Sequence, residues 1–227
     1  MKKYKLTNET IDFYGRTLYR IECVTSFNDV KKGDKGGYVE SESNLSQDGD
    51  AWVYGHAKVY GDAEVFDDAK VYDNAEVDNK AKVSGHAEIF GDAWVFDNAK
   101  VYGDAEVFDK VWVCGNAEVH GNAEVYGNVI IRGNAEVYGH AKVYGNVIIR
   151  GNAIVKENED YIVFLNNWSS GRYFTYTKSN DMWAVGCFYG TGQELIEKAY
   201  NDSELSGKNY EAYVKLVEYL KTIQSGD

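Results

Sequence analysis

Four histidines, three cysteines and a long series of Asn and Asp residues are the side chains here whose types suit chemistry. His56, His86 and His140 each follow a glycine, and His120 follows a valine. Any of them could serve as a general base if the fold brought a substrate proton within reach. Cys187, in the segment GCFYGTG, precedes a predicted helix start, where a thiol pKa can fall. No histidine lies near it, and burial in a strand is the plainer expectation. Rows of Asn and Asp resemble oxygen ligands for a metal, but asparagine also suits left-handed turns and stacked amide ladders. Gly190-Thr191-Gly192 is too short for a phosphate-binding loop. Whether any of these groups meet depends on the elements that position them.

Those elements are written in one repeat. From Ala51 to Ala153 a small residue recurs every six positions, and an aliphatic one follows two places later. The 18 consecutive copies read A-x-V-Φ-G-N/D. A fixed short period outranks local propensity. Two inward positions separated by an outward one give strand alternation, and the Gly-Asn or Gly-Asp pair supplies a corner. Valine replaces alanine at Val111, Val129 and Val147, which are 18 residues apart, and the segments GNVIIR at 127–132 and 145–150 are identical. Three hexapeptides therefore make one coil, and six coils make a triangular β-solenoid about 29 Å long. Its sides are called here face one (from Ala51), face two (from Ala57) and face three (from Ala63).

V-Y-G-D-A-E at 59–64 and 101–106, with V-Y-G-N at 125–128 and 143–146, resembles the hexapeptide-repeat, left-handed β-helix superfamily. The resemblance covers nearly half the chain. It implies left-handed coils, and it implies the trimeric acyltransferases, carbonic-anhydrase-like enzymes and structural proteins found in that superfamily. The outer segments, 36–55 and the part from Asp160, resemble uncharacterised hexapeptide-repeat proteins of phages and prophages.

The chain has 227 residues, no proline and a net charge of −12. Residues 1–36 carry +3, 37–156 carry −10 and 157–227 carry −5. An acidic prism argues against a nucleic-acid partner, which needs basic stripes. Three widely spaced cysteines fit a reducing cytoplasm, and the start lacks the apolar run of a signal peptide. No segment has the ~20 apolar residues of a membrane span.

The expected organisation is mainly β: a β cap at 1–36, the solenoid at 37–156 and a small α+β domain at 157–227. The cap reads as a hairpin with strands near 9–14 and 17–24. Val39 and Leu45 are taken in register with Ala51, which leaves Gln47 in an aliphatic slot. After the solenoid come three antiparallel strands at 160–168, 171–179 and 182–190. Thr191 and Glu194 then form a capping box before a short helix, and a longer helix follows Ser206-Gly207. Tyr210, Tyr213, Val214, Val217 and Leu220 share its apolar face. The domain is expected to close the end of the last coil.

The outward slots separate the faces. Face one carries an aromatic row, Tyr54, Tyr72, Phe90, Phe108, Tyr126 and Tyr144, a candidate partner surface. Face two carries Trp94, Trp112, Ile130 and Ile148 beside Phe96, Cys114, Arg132 and Arg150. Such a contiguous apolar strip is rare on a monomer surface, and Trp beside Arg is a frequent interface composition. Either a second subunit covers it, giving a dimer or trimer, or the C-terminal domain folds back over it; the subunit is the expectation.

An acyltransferase on this scaffold needs a catalytic histidine, a loop excursion and a site between subunits, and no hexapeptide is interrupted. His86 and His140 share a corner but lie three coils apart, about 14 Å. The expectation is a non-enzymatic, self-associating, protein-binding module without metal or cofactor, phage- or prophage-encoded; an inhibitor of a host process or defence system is one form of it. An acyltransferase-like enzyme is the alternative.

Overall fold

In the computed structural model, which describes residues 2–225, the hexapeptides stack as a parallel β-solenoid of about seven coils, of the left-handed hexapeptide type. Each hexapeptide contributes a two-residue strand: Glu88–Ile89 lies between Lys70–Val71 and Glu106–Val107. Along the 18-residue period each outward N–H donates to a carbonyl of the next coil, as Lys70 to Ala87 at 2.9 Å and Tyr72 to Ile89 at 2.9 Å. The small and aliphatic slots form one buried cluster from Ala51 to Val155. Alanine in the first slot leaves room for the aliphatic residue of the next hexapeptide, so the narrow interior fills without voids.

The corners need a left-handed residue, and glycine supplies it at most of them. Where glycine is absent, Asp67, Asp73, Asp97 and Asp109 take the position with φ between 57° and 61°. Their carboxylates then accept the amide of the glycine one coil on: Gly85, Gly91, Gly115 and Gly127, at 3.1–3.2 Å. Asn98, Asn116, Asn134 and Asn152 form an amide ladder at 3.0–3.1 Å. The corner residues thus bond along the stack, the role that favours Asn and Asp there. At the two coils that carry GNVIIR the strands Glu124–Ile131 and Lys142–Ile149 run unbroken across the corner, merging faces one and two into a 13-stranded sheet. Face three remains a separate six-stranded sheet.

The first coil corrects the expected register. Val39 pairs with Val59, and Leu45 bridges to Val65. Both stand in the aliphatic slot, not level with Ala51, because the first coil is two residues longer. The extra residues lie in the corner before Ala51, where Gln47 Oε1 accepts the backbone amides of Lys3 at 2.9 Å and Tyr4 at 3.3 Å. Gln47 therefore serves the cap and never enters the core.

The hairpin forms with strands Tyr4–Phe13 and Arg16–Cys23, the first starting five residues earlier than expected, around Tyr14-Gly15 with both φ positive. That turn matches the twist of a two-residue hairpin. Strand Lys35–Val39 pairs antiparallel with the hairpin and parallel with Lys58–Val59, so the cap continues the sheet of face two. It shields the first coil's open carbonyls. Tyr4 donates to the carbonyls of Leu45 at 2.7 Å and Glu42 at 3.0 Å. The Lys3 ammonium, 5 % exposed, donates to the carbonyls of Ala51 at 2.9 Å, Gly49 at 3.1 Å and Asp48 at 3.5 Å.

The C-terminal domain has four strands, Tyr161–Leu165, Tyr173–Thr177, Met182–Val185 and Phe188–Gly190. The expected single strand at 182–190 folds back at Gly186-Cys187, where Gly186 has φ 56°. Helix α1 (Gly192–Asp202) starts at the Thr191–Glu194 capping box. Helix α2 (Glu204–Ser225) starts before Ser206-Gly207, which is therefore helical. Gly207 is required there because a Cβ would overlap the Tyr200 ring of α1. Tyr210, Val214 and Val217 are buried with Phe174, Trp183 and Leu195, and Tyr213 packs against them half-buried. The domain closes the last coil: Thr175 accepts the amide of Ile148 at 3.2 Å, Ser179 that of Ile154 at 2.7 Å, and Tyr161 donates to the Lys142 carbonyl at 2.9 Å. Among the described residues no helix is long and apolar enough to cross a membrane.

Two outcomes follow for the ends. Burial holds the Lys3 amine down at about 8, against the pull of Asp50, Asp48 and Asp68. The unfolded chain binds more protons there between pH 8 and pH 10.5, so stability rises with pH across that window and is lost as pH falls. Between about pH 8 and pH 9.5 the unfolding free energy should rise by roughly 1–2 kcal/mol, and Lys3→Met should remove that slope in denaturant titrations. Gly207→Ala should destabilise the C-terminal domain by about 1–3 kcal/mol through overpacking, measured by the same method.

Candidate functional site

The structure separates the chemistry-bearing residues. His120 is stacked between Tyr102 at 4.6 Å and Tyr138 at 5.0 Å, within 3° of parallel, inside an aromatic column on face three. His86 Nδ1 lies 3.6 Å from Asp68 at a corner. His56 lines an open trough of about 1090 Å³ between faces one and two, beside Tyr54, Asp92, Asp109 and Lys110. His140 is exposed at its own corner. Cys23 and Cys114 are buried, and burial pushes both thiols up. Cys187 is exposed at the hairpin turn, which corrects the expected strand burial. Among the described residues no three His, Cys, Asp or Glu side chains are grouped to hold a metal ion.

On face one, Tyr72, Phe90, Phe108, Tyr126 and Tyr144 form a column of rings 4.6–5.4 Å apart and within 10° of parallel. Tyr54 turns edge-on to Tyr72 at 87° and donates to Asp29 at 3.3 Å. The coil spacing sets the ring spacing, so each ring covers its neighbour's face and directs an edge outward. Beside the rings, Lys70 pairs with Glu88 at 3.2 Å and Lys142 with Glu124 at 2.7 Å. Face three repeats the device with Lys82–Glu64 at 3.1 Å and Lys100–Glu118 at 2.8 Å. On both faces many outward side chains are engaged along the stack, although Tyr144 keeps 53 % of its surface exposed. Lys58 and Glu76 pair in the same way at the start of face two, at 3.3 Å.

Face two breaks this rule. Trp94 and Trp112 meet edge-to-face with centroids 5.7 Å apart, and Phe96 lies 4.3 Å from Trp94. Trp112 keeps 45 % of its surface exposed. Ile130, Ile148, Arg132 and Arg150 continue the strip half-buried. Neither arginine has a carboxylate within ion-pair distance among the described residues; Arg150 instead stacks over Tyr189 at 4.7 Å and donates to the Cys187 carbonyl at 3.4 Å. Burial and the neighbouring Arg132 charge hold Arg150 below its ordinary range. Asp78 Oδ1, Trp94 Nε1 and Arg132 Nε are sealed from solvent and make no hydrogen bond of good geometry, although the Trp94 indole and the Tyr60 hydroxyl lie against the Asp78 carboxylate. Burial pushes the Asp78 carboxyl up, against the Tyr60 hydroxyl and Trp94 indole beside it. A groove of about 570 Å³, lined by Tyr14, Tyr60, Asp78, Trp94 and Trp112, runs from the hairpin tip to the tryptophans.

The C-terminal domain sits on the end of the prism and touches face two at its last rung, where Thr175 accepts the Ile148 amide and Arg150 meets Tyr189 and Cys187. Sequence reasoning named the strip and both arginines but missed Asp78. The signal was present: an aspartate between Tyr60 and Phe96 in a column of large residues. No protein-family model matches this sequence, and no curated protein matches it. The arrangement on face two provides apolar contact area, two guanidinium groups and unpartnered hydrogen-bonding atoms, which is the equipment of an interface.

The face-one column gives a separate expectation. Phe108→Ala removes a ring stacked on both sides and should cost about 1–3 kcal/mol of stability. Solution mass should stay unchanged, as read by thermal unfolding and light scattering.

Proposed function

We propose that this protein is a self-associating, protein-binding scaffold that acts by presenting rigid surfaces, with face two as the surface that joins its copies. The observation that carries this reading is the concentration on face two of half-buried aromatic and aliphatic side chains with unpartnered polar atoms. The half-buried guanidinium groups of Arg132 and Arg150 have no carboxylate within ion-pair distance among the described residues, and a partner can supply charge-assisted hydrogen bonds to them. The exposed Trp112 indole has apolar surface to remove from water. The regular spacing holds these groups in a fixed array, so little conformational entropy is lost when a partner docks.

The target protein would be engaged by the surfaces left over, the face-one column or the C-terminal domain. In the phage setting that the outer segments resemble, occupying a host protein is the action such a scaffold can perform. The acyltransferase reading gains nothing from the histidines, since His120 is sandwiched between tyrosines and no hexapeptide is interrupted by a loop.

The test is the solution mass of Trp94→Glu and Trp112→Glu variants. Self-association should weaken at least about tenfold, because each change places a charge where an apolar contact was. An unaltered oligomeric mass would remove face two from the interface.

A further inference from the structure

Face two is polarised along the solenoid axis. Counted from the coil that holds Val39, its second coil presents Lys58, its third Glu76 and Asp78, its fourth and fifth Trp94, Phe96, Trp112 and Cys114, and its sixth and seventh Arg132 and Arg150 beside Ile130 and Ile148. Lys58 pairs with Glu76 at 3.3 Å. The strand register fixes this order, since Glu76, Trp94, Trp112, Ile130 and Ile148 are successive rungs. An end with the Lys58–Glu76 pair and Asp78, an apolar centre and an end with two unpaired arginines therefore follow one another along a single sheet.

We infer that face two pairs with face two of a second copy, antiparallel, about a two-fold axis crossing the prism between the Trp94 and Trp112 rungs. This rests on the self-association proposed above and names its geometry. A two-fold axis lying in the interface and perpendicular to the solenoid reverses the order of rungs while preserving each residue's position along its strand. Trp94 then faces Trp112 of the second copy, Phe96 faces Cys114 and Asp78 faces Arg132. Tyr60, on the rung opposite Arg150, is buried beneath its own hairpin against Phe13. Such an interface is isologous, so every contact is made twice.

Three observations favour this occupant. The arginines have no carboxylate of their own among the described residues, although the chain is strongly acidic. Arg132 lies three coils from Asp78 within one chain, and the antiparallel arrangement brings its guanidinium opposite the Asp78 carboxylate, which its own chain holds beside the Tyr60 hydroxyl and the Trp94 indole. A parallel arrangement about an axis along the prism would instead stack the arginine ends of both copies against each other, with like charges meeting.

The strip itself measures about 29 Å by about 13 Å, roughly 380 Å² per copy. That is about half of a standard interface, near 800 Å² per partner. The ends must supply the rest. Antiparallel pairing places the hairpin tip of one copy, where Tyr14 is 86 % exposed, beside the Gly186-Cys187 turn of the other.

The experiment is charge reversal at the two ends, read by sedimentation velocity on the full chain. Glu76→Lys/Asp78→Lys makes both ends basic, and Arg132→Glu/Arg150→Glu makes both acidic. Each variant alone should lose dimer affinity by more than about tenfold, because like charges then meet at both ends. An equimolar mixture should recover a heterodimer, since each basic end now finds an acidic one. Asp78→Asn and Arg132→Gln, with unfolding curves for all variants, keep the test valid if a reversal disturbs folding: each should weaken the dimer while leaving the chain folded. A dimeric wild type whose reversed variants stay dimeric, or do not recover on mixing, overturns the antiparallel geometry and leaves self-association standing. A monomeric wild type overturns both.

Discussion

The parallel backbone ladder with its 18-residue period is the interaction on which everything else depends. Because each N–H reaches a carbonyl in the next coil, as Glu88 to Ala105 at 3.0 Å, every residue lies directly above its counterpart one period away. Like therefore stacks on like, and outward chemistry is decided by columns, not by single residues. Aromatic columns stack, Asn columns bond through their amides, and corner aspartates accept the next glycine's amide. Lysine and glutamate on neighbouring rungs pair, as Lys70 with Glu88 and Lys100 with Glu118, although like charges also stack, as Glu88, Glu106 and Glu124 do. The interior follows from the same ladder, since a small slot and an aliphatic slot repeat at fixed height.

A ladder leaves two open ends, and each is closed by chemistry foreign to the repeat. At the first coil the Lys3 ammonium and the Tyr4 hydroxyl satisfy carbonyls that have no coil beneath them. At the last coil Thr175, Ser179 and Tyr161 reach amides or carbonyls with no coil above. Side-chain hydrogen bonds thus stand in for backbone ones where the period stops. The caps lengthen the prism without extending its polymerisable edge.

The solenoid was legible from the sequence because spacing alone determines which residues stack. The three faces, the corners and the aromatic columns followed from position counted in sixes and eighteens. What escaped was governed by tertiary contacts at the ends. Val39 and Leu45 sit two residues out of the expected register because the corner holding Gln47 is held by the cap, which no periodicity encodes. Cys187 lies in a turn because Gly186 adopts positive φ within an apolar run that reads as one strand. Helix α2 begins before Gly207 because the glycine is needed for the close approach of Tyr200, and glycine read locally signals a boundary. On the candidate site, Trp94, Trp112, Arg132 and Arg150 could be named from their column, whereas Asp78 gained meaning only from its burial beside the Trp94 indole and the Tyr60 hydroxyl.

Face two is where the columnar rule is unmet: its arginines lack acids, its tryptophans keep exposed surface, and its sealed polar atoms lack bonds. A second copy docked on this face is the proposed way in which these groups are covered. The most direct test is the absolute mass of the unmodified protein in solution, by light scattering across a range of concentrations. The account predicts a species of twice the chain mass that dissociates on dilution. A mass equal to a single chain at every concentration would contradict it, and would leave the unmet groups of face two for a different protein.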